Sequence, residues 1–475
     1  MTVTLATRRD FTLENLCRVA WRGEAVRLAE TAMRRMAAER QRFMALIEDP
    51  DITVYGVTSG YGQYAKKRLS PEDRKLQAKR PPTHAAASWG DPLPERVVRA
   101  IIFARLANFI EGHAAITPEV VLAAAAMLDG RPLPKIPARG QGGAGEILSL
   151  GHAFRELAAT APVAEKDILS LVNGSPAASA LVSDAALAAE ARLAVAVSVF
   201  ALAAEAFNTP LGHFAAELGD LWNNPHDAWA LAQLREAIGQ GHGGARRPYQ
   251  APVSFRILPR MLGQARRAER LAAEVAAESL GAVTDNPVML EPDAEHHLGR
   301  IISTGGYHNP HAVMAMDAVT AANVNLIVIA ERLSAKLLDG NVSLLPDQLD
   351  LGGKEGYMGC IPMAITGYEE EARVFAGATL LPGSESGGFG PNEVASPVFP
   401  AWSKQEKTGA LLEASLASLA FIAHRALTIT GRPAPANLAN LMEEIGRFIP
   451  EADSGSALGP AIYGLETRLR ERIYS

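Results

Sequence analysis

Cysteine is nearly absent from this chain: Cys17 and Cys360 are the two in 475 residues. Two thiols cannot make a disulfide framework, and such usage fits a reducing compartment. Aromatic residues reach only 6%, so the core is built from small aliphatic side chains and its helices are expected to pack closely. The N-terminal stretch Met-Thr-Val-Thr-Leu-Ala-Thr-Arg-Arg-Asp has no apolar run of signal-peptide length. The longest alanine-rich runs are broken by charge at Asp184, Glu190, Arg192 and Glu205, which argues against a membrane span. Acidic residues outnumber basic ones only slightly, giving a net charge of −6 and a pI near 6.0. Nothing therefore pulls the chain electrostatically toward nucleic acid or an anionic membrane. Phosphate loops, repeats of solenoid period and sustained heptads are missing as well. The pairs His296-His297 and His308-x-x-His311 have no cysteine or carboxylate cluster at ligand spacing, so no metal is expected. The expectation is a cytoplasmic protein with neither a nucleic-acid nor a membrane partner.

What is present is a large apolar fraction, 48%, in a chain long enough to bury a sizeable core. Apolar residues recur at helical spacing over about 176–207, 261–280 and 312–338, which predicts long bundle helices. Residues 1–180 instead mix short helices with loops rich in Gly and Pro, such as Tyr55-Gly-Val-Thr-Ser-Gly-Tyr-Gly62, Arg80-Pro-Pro-Thr and the 134–146 stretch. Binding residues tend to sit on loops of that kind. We expect an N-terminal domain over 1–180 carrying the site, and a central bundle with C-terminal helices over 181–475. The Gly-rich stretch Pro382-Gly-Ser-Glu-Ser-Gly-Gly-Phe-Gly-Pro391 interrupts the latter.

Several blocks in this order resemble the aromatic amino-acid ammonia-lyases and aminomutases, the family of histidine, phenylalanine and tyrosine ammonia-lyases. Val54-Tyr55-Gly-Val-Thr-Ser-Gly-Tyr-Gly62 is similar to the family's Y-G-x-x-T-G-F-G. Leu76-Gln77 with Thr83-His84-Ala85 resembles L-Q-x-x-L-x-x-S-H-A. Arg105-Leu-Ala-Asn108 and Gly112, Lys166-Asp167, and Leu171-Val-Asn173-Gly174-Ser175 follow. Gln250-Ala-Pro-Val253-Ser254-Phe-Arg256 resembles Q-D-x-Y-S-x-R, and Thr284-Asp285-Asn286-Pro287 reproduces T-D-N-P unchanged. Gly305-Gly306-Tyr307-His308, Glu331-Arg332, Gly356-Tyr357-Met358 and Gln405-Glu406 complete the series. The resemblance implies a mainly α fold with a long central bundle. It also implies a homotetramer whose active sites each draw on three subunits.

The stretch that forms the family's cofactor is altered. Pro134-Lys-Ile-Pro137-Ala-Arg-Gly140-Gln-Gly-Gly143-Ala144-Gly145-Glu146 resembles P-x-I-P-x-x-G-S-V-G-A-S-G-D, in which Ala-Ser-Gly cyclises into methylidene-imidazolone. No serine lies between Pro134 and Leu148, so the electrophile is expected to be absent, with no other cofactor in its place. The family's second catalytic tyrosine falls on Val253, and the Asn-Ser of G-L-N-S-G-F-M on Lys354-Glu355. Three departures lining one site are better explained by natural divergence than by a single engineered change.

By resemblance, Tyr55 is the candidate base and Glu406 a second acid–base group. His84, Asn173, Arg256 and Tyr307 are candidates for substrate contact, and Gly143-Ala144-Gly145 is the degenerate cofactor loop. Each has a structural alternative. Tyr55 could plug its loop against the core, Arg256 could serve a salt bridge rather than clamp a carboxylate, and Asn173 could bond the rearranged loop. His84 could be a surface histidine, and Glu406 a partner for Lys404 or Lys407. General acid–base groups contribute roughly 10²–10⁴ in rate, far short of what an unactivated amino acid demands. An enzyme lacking the electrophile therefore needs a carboxylate-bearing, amino-acid-like substrate that brings its own activation, for elimination, addition or cyclisation. A conventional ammonia-lyase or aminomutase altered at its triplet, and a non-catalytic amino-acid-binding relative, are the alternatives.

Overall fold

The computed structural model describes residues 2–61, 64–239, 246–247, 249–352, 357–383, 393–450 and 456–474. Helix accounts for 63% of the chain, and the fold is mainly α. The long helices are Pro176–Ala206, Leu258–Leu280, Pro310–Leu338 and Val398–Thr430. The second begins three residues before the expected Met261, because Pro259 lies in its first turn, where the missing N–H costs no hydrogen bond. Strands are confined to two small sheets. Thr2–Leu5 pairs in parallel with Ala25–Leu28, and Val288–Leu290 pairs antiparallel with Arg300–Ile302.

Two compact units are interleaved along the chain. The first takes Met1–Leu187, Ala272–Met316 and Thr379–Ser403; the second takes Ala188–Leu271, Asp317–Ala378 and Lys404–Ser475. Four of the five unit boundaries fall inside the long helices, and the fifth, between Ala378 and Thr379, lies outside them.

Three stretches, 167–206, Pro310–Leu338 and Val398–Thr430, reach the length and composition of a membrane span, with mean hydropathies of 1.8, 1.7 and 1.3. Charge interruption does not disqualify them as expected from the sequence. Within the protein, 67%, 67% and 78% of these windows are buried, so alanine and leucine face other helices. Their charges are neutralised inside. Asp184 accepts from the indole N–H of Trp21 (3.1 Å) and Trp402 (3.0 Å) and from Arg96 Nε (2.9 Å).

Arg192 is the corresponding buried charge of the second unit. Its guanidinium meets Glu413 at 2.7 Å and Glu406 at 3.4 Å, and donates to the Tyr474 hydroxyl at 2.7 Å. Gly409 leaves the room for it, since a Cβ there would overlap the guanidinium. Ordinarily Gly→Ala inside a helix stabilises by about 1 kcal/mol. Here Gly409→Ala is expected to destabilise by about 1–3 kcal/mol, because Arg192 is pinned by its carboxylates and cannot swing aside. Urea denaturation measures the sign, and a stabilised variant would contradict this packing.

Candidate active site

The Tyr55 loop is held from below by its apolar neighbours. Val54 and Val57 sink into a cluster with Phe43, Ile47, Ala115 and Met289. Tyr55, flanked by these anchors, is left half-buried on the wall of a cavity of about 190 Å³. Gly56 adopts φ 70° with Leu169 close above it; a Cβ would lie 2.9 Å from Leu169 Cδ2, so both backbone and space require glycine. Thr58 Oγ1 accepts from Val54 N–H at 2.7 Å, and Gln77 Nε2 donates to the Gly56 carbonyl at 2.9 Å. Gln77 thereby fixes the loop that carries Tyr55, a role its sequence block gave no hint of.

Beneath the cavity lies an ionic floor assembled from three distant blocks. Asp285 is fully buried and receives Lys166 Nζ at 2.7 Å and Arg105 Nη2 at 3.1 Å. Lys166 also donates to Ser170 Oγ at 2.9 Å. Burial pushes both cations below their usual pKa, and the Asp285 carboxylate opposes that shift. Asn108 Oδ1 accepts from Thr284 N–H at 2.6 Å, and Thr284 Oγ1 accepts from Ser175 N–H at 2.9 Å. Gly174 lies against Arg105 at φ 133°, where a Cβ would come within 2.5 Å of Nη1. Its neighbour Asn173 is thus set facing the cavity, buried, with Oδ1 lacking a partner among the described residues.

The degenerate loop runs beside Asn173. Gly143 has φ 116° and ψ 164°, a conformation nearly restricted to glycine. Its carbonyl accepts from Ser396 N–H at 3.1 Å, and that of Gly145 from Gly174 N–H at 3.2 Å. A Cβ on Gly145 would stand 3.0 Å from Asn173 Oδ1. Ala144 is buried and offers a methyl where cyclisation would need a hydroxyl, so these residues do not suit a self-formed electrophile. Glu146, at φ 55°, turns back to accept from the N–H groups of Ala177 (2.6 Å) and Ala178 (2.7 Å). It caps the 176–206 helix by satisfying N–H groups of the first turn that have no partner within the helix.

Of the residues singled out in the sequence, Tyr55, His84 and Asn173 share the cavity wall. His84 is exposed there, its ring stacked 6.2 Å from that of Tyr61. Tyr307 is half-buried beside His308, with ring centroids 6.3 Å apart, and is not on that wall. Arg256 belongs to the second unit, in the short helix Val253–Arg256. Its Nε is buried without a partner among the described residues, and burial, with a smaller push from the Arg256 charge, keeps His213 below the usual histidine pKa. Val253 is 58% exposed. Glu406 also lies in the second unit and bonds Arg192 and Tyr474, while Lys404 pairs with Asp317 at 2.8 Å and Lys407 lies over the Phe375 ring. Lys354-Glu355, Gly356 and most of the 382–391 stretch lie outside the described residues. No group of three or more metal-ligating side chains occurs among the described residues. Sequence reasoning passed over Tyr61 and Glu165, which also line the cavity; the position of Glu165 immediately before the Lys166-Asp167 block was the available signal.

The sequence profile of the family "Aromatic amino acid lyase" matches residues 11–447. The chain belongs to that family. It is 31% identical over 367 residues to histidine ammonia-lyase of Sorangium cellulosum, covering 70% of this chain and 71% of the relative. Its fold is similar to that of the ergothioneine-degrading enzyme ergothionase of Treponema denticola, with a TM-score of 0.89 at 18% identity, covering 100% and 99% of the two chains. Histidine ammonia-lyase of Trypanosoma cruzi gives 0.85 at 18% identity over 100% and 94%.

Two predictions follow from the floor and the cap. Asp285→Asn strands two buried cations and should cost about 3–5 kcal/mol, read by calorimetry; a loss below 1 kcal/mol would contradict the floor's importance. Burial pushes the Glu146 carboxyl up to about 8, against the pull of its two N–H donors and Arg105. Between its ordinary value near 4.5 and about 8 the unfolded chain gives up this proton while the folded one keeps it. Stability should then fall as pH rises through that window. Glu146→Gln should flatten the decline of Tm between pH 5 and 8, and an unchanged slope would show that the carboxyl titrates normally.

Proposed function

We propose that this chain is a lyase acting on an amino-acid-derived substrate that carries its own activation, by elimination and without a methylidene-imidazolone electrophile. The observation that carries this reading is the pairing of a cavity bearing Tyr55 with an adjoining loop that has no hydroxyl to lose. Membership of a lyase family supports the reaction class, and relatives named histidine ammonia-lyase support an amino-acid-like substrate. Addition and cyclisation on such a substrate use the same groups.

In this reading Tyr55 takes the proton from the substrate's β-carbon. Asn173 presents an unpartnered acceptor to the same space. Arg256, with its buried and unpartnered Nε, holds the substrate carboxylate through its planar fork. A homotetramer, as the resemblance implies, would bring the second-unit residues of one copy to the cavity of another. The protein is then a cytoplasmic assembly whose site is incomplete in a lone chain.

Candidate substrates to test first are histidine, tyrosine, phenylalanine and ergothioneine, the last because the fold neighbour from Treponema denticola is named for degrading it. Ultraviolet absorbance reports the unsaturated acid. Tyr55→Phe should abolish turnover of the true substrate while leaving its binding within about threefold. Arg256→Leu should weaken binding of a carboxylate ligand at least tenfold, as loss of a buried charge-assisted contact usually costs about 2–5 kcal/mol. Restoring Ala-Ser-Gly at 143–145 should not by itself create histidine or tyrosine lyase activity, because Val253 remains and because alanine at 143 would have to leave the present φ of 116°. Should the restored loop alone yield a working ammonia-lyase, the conventional reading would replace this one.

A further inference from the structure

The segments 88–93 and 136–141 run antiparallel beside each other and take no part in the cavity wall around Tyr55. Leu93 N–H donates to the Ile136 carbonyl and Ala138 N–H to that of Asp91, each at 2.8 Å. This pairing brings Ser88 to Gln141 and Trp89 to Arg139. Gln141 is buried, and its Nε2 donates to the Pro137 carbonyl at 2.7 Å and to Ser88 Oγ at 2.9 Å. A carbonyl can only accept, so the amide nitrogen must face it, and both of that nitrogen's hydrogens are then used. Ser88 Oγ thus receives one hydrogen bond and still has its own proton to place. The acceptor in reach among the described residues is His152 Nε2, 3.1 Å away on the helix Ile147–Thr160. Accepting it requires a neutral imidazole protonated on Nδ1. Burial, opposed by a hydrogen bond at Ser88 and aided by the charge of Arg155, holds His152 below the usual histidine pKa and favours that neutral form. Beside the pair, Trp89 is 78% exposed, and the Arg139 guanidinium lies 5.5 Å from its ring with no ion-pair or hydrogen-bond partner among the described residues. Gly90, at φ 131°, leaves room for that arginine, since a Cβ would come within 2.8 Å of its Nε.

We propose that Ser88 and His152 form a nucleophile and general-base pair that hydrolyses aryl esters carrying an anionic group, with Trp89 and Arg139 as the surface on which the aryl anion rests. This second activity is independent of the lyase reading. A hydroxyl that gives its proton to a histidine while its oxygen accepts a hydrogen bond is activated for attack, and both Ser88 and His152 are half-buried, within reach of solvent. Stacking on the indole and a charge-assisted bond to the guanidinium select a planar anion. In the reaction Ser88 Oγ adds to the ester carbonyl carbon as its proton passes to His152 Nε2. The ester C–O bond then breaks, the proton returns from His152 to the departing aryl oxygen, and an acyl-serine remains. A water molecule, giving its proton to His152, repeats the addition and releases the carboxylic acid, and the histidine restores the serine hydroxyl. His152 Nδ1 has no carboxylate partner among the described residues, so the expected acceleration is that of a general base alone, roughly 10²–10⁴.

The test treats the full chain with a fluorophosphonate, which captures activated serines, and locates the adduct by peptide mass analysis. The adduct should sit on Ser88 of the unsubstituted protein, a readout that no folding defect of a variant can disturb. It should be missing from Ser88→Ala, and His152→Asn should slow its formation by at least about tenfold while circular dichroism stays unchanged. In parallel, hydrolysis of para-acetoxybenzoate is compared with that of phenyl acetate. The anionic ester should be the better substrate, Arg139→Gln should erase the preference, and Ser88→Ala should abolish turnover of both. An adduct elsewhere or none at all, labelling that keeps its rate in His152→Asn, or labelling without turnover of either ester overturns the nucleophile. Equal hydrolysis of the two esters, or a preference that survives Arg139→Gln, overturns the assignment of the substrate class.

Discussion

The arrangement around the cavity depends on a single buried anion. Asp285 pairs with both Lys166 and Arg105 where all three side chains are fully buried, and each cation belongs to a segment that builds the site. Arg105 sits against Gly174 and fixes the chain at Asn173, and Lys166 precedes the short helix Asp167–Val172 along the cavity wall. Such a triad is costly to desolvate and more costly still to break, so its value here lies in register: it brings residues near 105, 170 and 285 to one point. The exacting packing at Gly56, Gly174 and Gly145 follows from that constraint.

Above this floor, the loop at 143–145 departs from the family pattern in composition. Gly145 bonds Gly174, Gly143 bonds Ser396, and Glu146 caps the 176–206 helix. Without a serine the loop has no hydroxyl for cyclisation to lose. On the cavity wall of the first unit stand Tyr55 and Asn173, the latter with an Oδ1 that has no partner among the described residues.

Much of this was legible in the sequence, for identifiable reasons. Helical periodicity located three of the four long helices to within a few residues, since their alanine-rich faces repeat without interruption, but not Val398–Thr430, and glycine punctuation located the Tyr55 loop. The unchanged Thr284-Asp285-Asn286-Pro287 marked a position of consequence. Its role was hidden, because an ionic floor is made by residues more than a hundred positions apart and no local pattern encodes the pairing. Gln77 was noted only as part of a motif, and its bond to the Gly56 carbonyl is a matter of tertiary distance. The bonds of Glu406 to Arg192 and Tyr474 likewise join positions too far apart in the chain for a local pattern to encode. The membrane-like hydropathy of three helices was underestimated, because charges in the sequence look exposed until their buried partners are known.

The central claim is that the site works with unmodified backbone at 143–145. Mass analysis of the 140–160 peptide, taken from a preparation shown to turn over substrate, tests it most directly. The account predicts the mass given by the sequence, with no loss of water. A dehydrated peptide from active protein, accompanied by an absorbance band that borohydride bleaches, would contradict it.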